Sequence, residues 1–379
     1  MQLQKKENPV PRSIKASKRL GAALMLGMLA FVSACGWSAD GGESASGLKK
    51  IRIITSSSGP STVEAPFHIA TEKGWFEEEG IEIEILYSPG SGAAIQQLAA
   101  GNGDVASTTP ASVMQANQQG TEISMVMHHT YNQWADMAAP EGSGITSIAD
   151  LEGKTLGVSE LSGGEMPLVR AALSSAGLVE GEDVQIVPAG EGDPSTVGAL
   201  ENGTIDAFAS SKRDIMLLEI NGFETPMASI TPPEIMALPG DGLAMTSELL
   251  EDDPAVAEGF IRAAVKGFTY VMAEPDVSYA WVQENLPEAL STDPDLARAF
   301  FDLSVDGWSP ELPPAVPQRG LFDVGSWEDL MGYLQEGEDE ARVLDGPVDL
   351  DRILDDSMVE AAYEAIDVAA IEAEAKSDG

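Results

Sequence analysis

The sequence holds a single cysteine, Cys35, among its 379 residues. One thiol forms no disulfide within the chain and no thiolate metal cluster. Histidine is nearly as scarce, with only His68, His128 and His129. That is a thin supply for a Ser–His–Asp hydrolase, and no Gly-X-Ser-X-Gly elbow is present to carry its nucleophile. His128 and His129 are adjacent, and adjacent side chains on a strand face opposite ways, so the pair is poorly placed to share one metal ion. Basic residues are few: Lys+Arg is 21 against Asp+Glu 62, a net charge of −41. A surface of that sign repels nucleic acid and anionic head groups, so neither is expected as a partner.

Long apolar runs are also missing. Beyond the N-terminal region no stretch of about 18 apolar residues occurs, which argues against a spanning helix. The start of the chain has a different character. Lys5, Lys6, Arg12, Lys15, Lys18 and Arg19 precede a short apolar segment from Leu20 to Val32. A positive region followed by a short apolar one is the pattern of an export signal. It ends in Val32-Ser33-Ala34-Cys35, which resembles the bacterial lipobox, where small residues precede a cysteine that is lipidated and becomes the new N-terminus. Residues 1–35 are therefore expected to be a lipoprotein signal ending at lipidated Cys35. The Gly/Ser/Ala/Asp-rich residues 36–48 read as a flexible tether. Removing residues 1–34 takes away six bases and one acid, leaving 15 basic against 61 acidic residues. The expected location is outside the cytoplasmic membrane, anchored by lipid and facing the periplasm or the cell exterior.

The body, 43% hydrophobic over the whole chain, has enough apolar material for two lobes. Ile51–Thr55 is a β-rich run, Ala65–Trp75 has helical spacing, and Ile81–Ile85 alternates with period two. A helix from Ala93, a strand at Val105–Thr108, a helix from Pro110 and a strand at Ile123–His128 follow. A second series runs through Thr155–Val158, Gly164–Ala176, Val184–Val187, Ser195–Asn202, Ile205–Ala209 and Arg213–Asn221. Alternating strands and helices imply parallel sheets with crossover helices. Beyond Pro254 the chain reads as mainly helical.

In such sheets ligands bind beyond the carboxyl ends of the strands, where helix N-termini point. Small hydroxyls and glycines there allow close backbone approach to a ligand, and each can equally serve as a helix cap. On this geometry the candidate ligand-binding set is Ser57, Ser58, Pro66, Gly92, Thr109, Trp134, Ser162, Gly163, Gly164, Ser211 and Lys212. Lys212 would add attraction for an anion, and Tyr131 with Trp134 forms an aromatic pair placed to stack on a planar ring or, equally, to pack in the core. No catalytic residue, metal site or cofactor is expected.

Several stretches resemble the solute-binding proteins of ABC importers in the nitrate/sulfonate/taurine and thiamine-precursor group. They are Ala65 to Ile83 with its Lys73-Gly74-Trp75-Phe76 core, and Leu98 to Ala106 with Gly101 and Asp104. Further on come Asp150 to Val158, Leu200 to Ala207 with Gly203 and Asp206, and Pro347 to Leu350. The resemblance implies a type II periplasmic-binding fold of two α/β lobes, each a mostly parallel sheet flanked by helices, with a helical C-terminal segment. Lobe one is expected at 49–138 and 243–379, lobe two at 139–242. It implies a binding protein rather than an enzyme. The solute would be a sulfonate, taurine, nitrate, a thiamine-precursor pyrimidine or a similar small molecule. Closing lobes would capture it and a membrane permease would receive it, with the protein itself a monomer. A sensory module without import, and a pyrimidine-synthesising enzyme of the same fold, are the alternatives; that enzyme needs a cysteine-rich iron motif, and the only cysteine here is Cys35.

The anchor is directly testable. Mass spectrometry of the protein extracted from membranes should find a diacyl-modified Cys35 at the N-terminus, and an unmodified Cys35 would contradict the reading.

Overall fold

The computed structural model describes residues 47–161, 163–290, 293–335 and 343–379. Cys35, the signal and most of the tether lie outside these residues, as does Ser162. Ten strands follow in chain order: β1 (Lys49–Thr55), β2 (Ile81–Tyr87), β3 (Val105–Thr108), β4 (Ile123–His128), β5 (Ala135–Pro140), β6 (Lys154–Val158), β7 (Val184–Pro188), β8 (Ala207–Ser211), β9 (Met227–Ser229) and β10 (Gly242–Thr246). They build two five-stranded sheets, ordered β2-β1-β3-β10-β4 and β7-β6-β8-β5-β9.

The two sheets share one plan. In each, three strands run parallel, and the fourth, β10 or β5, is antiparallel to both of its neighbours. The chain passes from lobe one to lobe two between β4 and β5 and returns between β9 and β10. Lobe two thus begins at Ala135, four residues ahead of the boundary read from the sequence. The sequence signal is weak because Ala135-Asp136-Met137-Ala138-Ala139-Pro140 has no β-branched residue. β10, Gly242-Leu243-Ala244-Met245-Thr246, has Thr246 as its one β-branched residue and so a weak strand signature, yet it occupies a central, almost wholly buried position.

The repeated Gly-X-X-Asp device is structural in both lobes. Asp104 Oδ2 accepts the Arg52 backbone N–H at 2.7 Å and Asp104 N–H donates to the Arg52 carbonyl at 2.8 Å. Asp206 makes the same two-way link with Thr155, at 2.9 and 2.8 Å. Each aspartate pins the start of its strand to the neighbouring one. Trp75 is buried and packs edge-on against Tyr270 at 6.0 Å, away from the interlobe space.

The C-terminal helices cover lobe one, as the resemblance implies, but they also reach further. The helix Pro254–Ala273 packs on the helix Ala65–Glu72. Gly267 is required there, since a Cβ would lie 2.2 Å from the Pro66 carbonyl oxygen. The helix Val324–Gln335 packs on Pro110–Gln118 of lobe one and on Met166–Ser175 of lobe two. Its Trp327 is completely buried. The segment after residue 243 is therefore shared between lobes, because the apolar face of this helix is covered by both.

Candidate functional site

A cavity of about 450 Å³ opens between the two sheets, at the carboxyl ends of the parallel strands. Lobe one contributes the loop after β1, including Ser56, Ser57 and Ser58, and the start of the helix Ser91–Ala99. Lobe two contributes Ser159 and Glu160 after β6, the turn at Gly163 and Gly164, and Ser210 to Asp214 at the end of β8. The crossing segments supply His129, Trp134 and Asp241 at the back. The C-terminal helices close one side with Phe268, Phe300 and Trp308.

Of the sequence-derived set, Ser57, Ser58, Trp134, Gly163, Gly164, Ser211 and Lys212 line this cavity. Thr109 does not. Its hydroxyl caps the helix Pro110–Gln118, accepting from Ser112 N–H at 3.3 Å and sharing a hydrogen bond with Ser112 Oγ at 2.9 Å. Pro66 is spent on the packing against Gly267. Gly92 lies one residue inside its helix, and Ser91 takes the lining position instead. All three share the residue types of ligand loops, because caps and helix starts select the same small groups.

Some of the lining residues are held in place by neighbours. Ser57 Oγ donates to Glu64 at 3.1 Å, and the buried Glu64 also accepts the Ser61 backbone N–H at 2.7 Å. Burial pushes the Glu64 carboxyl up to about 7. Ser211 caps the helix Lys212–Ile220, receiving Asp214 N–H at 3.0 Å, while Ser210 Oγ donates to Asp214 at 2.6 Å. Glu165 accepts the Ser159 backbone N–H at 3.1 Å and is also bonded to the Ser159 hydroxyl. Burial raises both Asp214 and Glu165 above the ordinary carboxylate range. Gly163 has no spare room: a Cβ would lie 2.3 Å from a Glu165 carboxylate oxygen. Gly164 brings lobe two against lobe one, where its Cβ position is 3.1 Å from Ser91 Oγ and from the Trp134 ring.

The wall facing these polar loops is aromatic. His129 stacks on Phe268 at 5.3 Å and 17°, and Phe268 meets Trp308 edge-on at 5.3 Å. The Arg213 guanidinium, from lobe two, sits 4.5 Å above the Phe300 ring, which belongs to the helix Pro294–Trp308 on lobe one. A cation–π contact thus spans the cleft. Six carboxylates line the cavity, Glu160, Glu165, Glu191, Asp214, Asp241 and Asp306, against two cations, Lys212 and Arg213. Burial lowers the Lys212 ammonium.

Ser107 Oγ lies 3.4 Å from His129 Nε2, a superficial likeness to a nucleophile and base. His129 Nδ1 faces Thr130 Oγ1 at 3.0 Å rather than a carboxylate, and burial pushes the imidazole down to about 3. A base that weak does not activate a serine. His128 occupies a separate aromatic pocket formed by Tyr131, Phe322 and Trp327, so the two histidines do not converge on one site.

The residues that sequence reasoning missed are His129, Asp241 and the aromatics Phe268, Phe300 and Trp308. Phe268 and Phe300 sit on amphipathic helices where an apolar residue reads as core, and nothing local marks which edge of the core faces the cleft.

Comparison with known proteins bears on this site. The family model described as NMT1/THI5 like matches residues 61–278. The chain is 26% identical over 315 residues to the riboflavin-binding protein RibY of Chloroflexus aurantiacus, covering 79% of this chain and 83% of that protein. It is 24% identical over 289 residues to the formylaminopyrimidine-binding protein of Halalkalibacterium halodurans, covering 73% and 82%. Among solved structures, the periplasmic sulfonate-binding protein SsuA of Methylobacillus flagellatus superposes with a TM-score of 0.59 at 18% identity, covering 84% of this chain and 94% of that one. That likeness establishes the periplasmic-binding fold.

A pH test follows from Asp241, whose carboxyl burial pushes up to about 7. A carboxyl raised in the folded state keeps its proton there while the unfolded chain has lost it. Its contribution to stability is full below the ordinary carboxylate value and declines as pH rises toward about 7. Asp241→Asn should therefore raise the thermal midpoint of the unliganded protein at about pH 8 and change it little near pH 4. Scanning calorimetry at both values checks this, and a lower midpoint at pH 8 would be the contrary result.

Proposed function

Because the chain belongs to the NMT1/THI5-like family, we propose that it is the extracytoplasmic solute-binding component of an ABC importer, carrying an uncharged planar heteroaromatic solute of the pyrimidine or flavin type. The observation that carries this reading is the character of the cleft. His129, Phe268 and Trp308 form a wall of rings, Trp134 adds a further ring beside Gly164, and the rest of the lining is serine hydroxyls, carboxylates and backbone groups. Rings favour a flat, apolar partner, and the polar rim fixes its orientation. A volume of about 450 Å³ is within the usual range for small-molecule sites.

The excess of carboxylates weighs against an oxyanion. Nitrate or a sulfonate would meet six acidic side chains with only two cations nearby, one of them already lying over Phe300. An uncharged ring with N–H and O–H donors meets acceptors instead. The similarity to a riboflavin-binding protein and to a formylaminopyrimidine-binding protein supports the same class.

Capture proceeds by closure around the solute. Contacts that exist only when both lobes touch the ring stabilise the closed form. Arg213 over Phe300 adds a direct contact between lobes, worth about 0.5–1 kcal/mol at a partly exposed site. The helix Val324–Gln335, bound to both lobes, limits how far they part. The closed surface is then presented to a membrane permease. On this reading the solute is bound and released unchanged, and His129, whose imidazole burial holds neutral, is a wall of the cleft rather than a base.

A thermal-shift panel of riboflavin, hydroxymethylpyrimidine, taurine and nitrate tests the assignment. At one hundred times its dissociation constant a ligand stabilises by about 2.7 kcal/mol. Riboflavin or the pyrimidine should shift the midpoint and be recovered unchanged by chromatography. A shift with taurine or nitrate alone, or turnover of a bound compound, would contradict it.

A further inference from the structure

The return crossing from lobe two places one carboxylate in the cleft without a partner. Asp241 immediately precedes β10 and lines the cavity. Its main chain is committed: the carbonyl accepts the N–H groups of His129 at 3.2 Å and Thr130 at 3.0 Å. Its side chain is not. Oδ1 is shut away from solvent and has no hydrogen-bond partner within the protein. Among the described residues no ion pair reaches it. The imidazole nearest in the backbone network, His129, is held neutral by burial and brings no cation.

The other buried carboxylates around the cleft are all satisfied. Glu64 holds Ser57 and Ser61, Glu165 holds Ser159, and Asp214 holds Ser210. A buried acceptor left empty is destabilising, and more so when charged. Proteins rarely retain that cost without a use for the group. Asp241 is also held against the segment that carries His129, so an acceptor there lies beside the ring wall made by His129 and Phe268.

Building on the proposed function, we infer that Asp241 is the specificity-determining acceptor of the cleft, taking a hydrogen bond from a ring N–H or amino group of the bound heteroaromatic. A solute without such a donor leaves the carboxylate unpaired in the closed cleft and is rejected. This is discrimination by an unsatisfied buried group, which is steep compared with discrimination by apolar contact alone. It separates ring imides and aminopyrimidines from flat hydrocarbons of equal size.

The test uses whichever of riboflavin and hydroxymethylpyrimidine binds the wild-type protein, together with its analogue methylated at the donor nitrogen. Titration calorimetry on wild type and Asp241→Ala gives four affinities. Asp241→Ala should weaken the parent compound about tenfold or more, equivalent to about 1.4 kcal/mol. Methylation should weaken binding to wild type by a similar factor, and the two changes together should cost little more than either alone. Asp241→Asn, which keeps a neutral acceptor, should fall between them. The unliganded midpoint of Asp241→Ala, read in parallel, should not drop, so that lost binding is not lost folding. Parent compound bound equally by wild type and Asp241→Ala would overturn the assignment while leaving the cleft reading intact. Failure of both compounds to bind wild type would overturn the cleft reading and this assignment with it.

Discussion

The cleft depends on the lacing of the two segments that cross between the lobes. Gly240 N–H donates to the Thr130 carbonyl at 2.9 Å, and the next residue, Asp241, returns its own carbonyl to His129 and Thr130. Gln133 fastens the same two segments, with its side-chain amide on the Pro239 carbonyl at 2.8 Å. The approach is so close that a Cβ on Gly240 would lie 2.4 Å from the Asn132 carbonyl oxygen and 2.8 Å from that of Thr130. Only a residue without a side chain fits. This one contact sets where His129, Trp134 and Asp241 emerge, and so it sets the back wall of the site. The two sheets then bring their polar strand ends to the front.

The proposed closure would work against a restrained background. The crossings form a paired hinge rather than two loose loops, and the helix Val324–Gln335 packs on both lobes behind it. On the open side the contacts are slight: Gly164 near Ser91 and Trp134, and Arg213 over Phe300. In the proposed mechanism, a strong rear attachment with weak front contacts would let the modest free energy of ligand binding drive a small movement of the lobes.

Much of the plan was legible in the sequence. The alternation of β-rich and helically spaced runs gave the two lobes, and Ser57, Ser58, Gly163, Gly164 and Ser211 follow strand ends that do face the cleft. What was not legible follows from two physical facts. Thr109 and Pro66 belong to residue types that suit helix starts as well as ligand loops, and only the local bonding of Thr109 to Ser112 and the contact of Pro66 with Gly267 distinguish the cases. Phe268, Phe300 and Trp308 come from helices more than a hundred residues beyond His129, so their place in the wall is a product of tertiary packing. Asp241 was invisible for a further reason: Pro239-Gly240-Asp241-Gly242 reads as a surface turn, and its enclosure arises only when the crossings meet.

The proposed function requires the solute to lie flat against the aromatic wall between the lobes. A crystal structure of the protein grown with saturating riboflavin or hydroxymethylpyrimidine tests it most directly. The expected result is a ring bounded by Trp134, His129 and Phe268, with a ring nitrogen or amino group within hydrogen-bonding distance of Asp241 Oδ1. A ring bound outside the interlobe cavity, or one inside it with Asp241 still unpartnered, would contradict it.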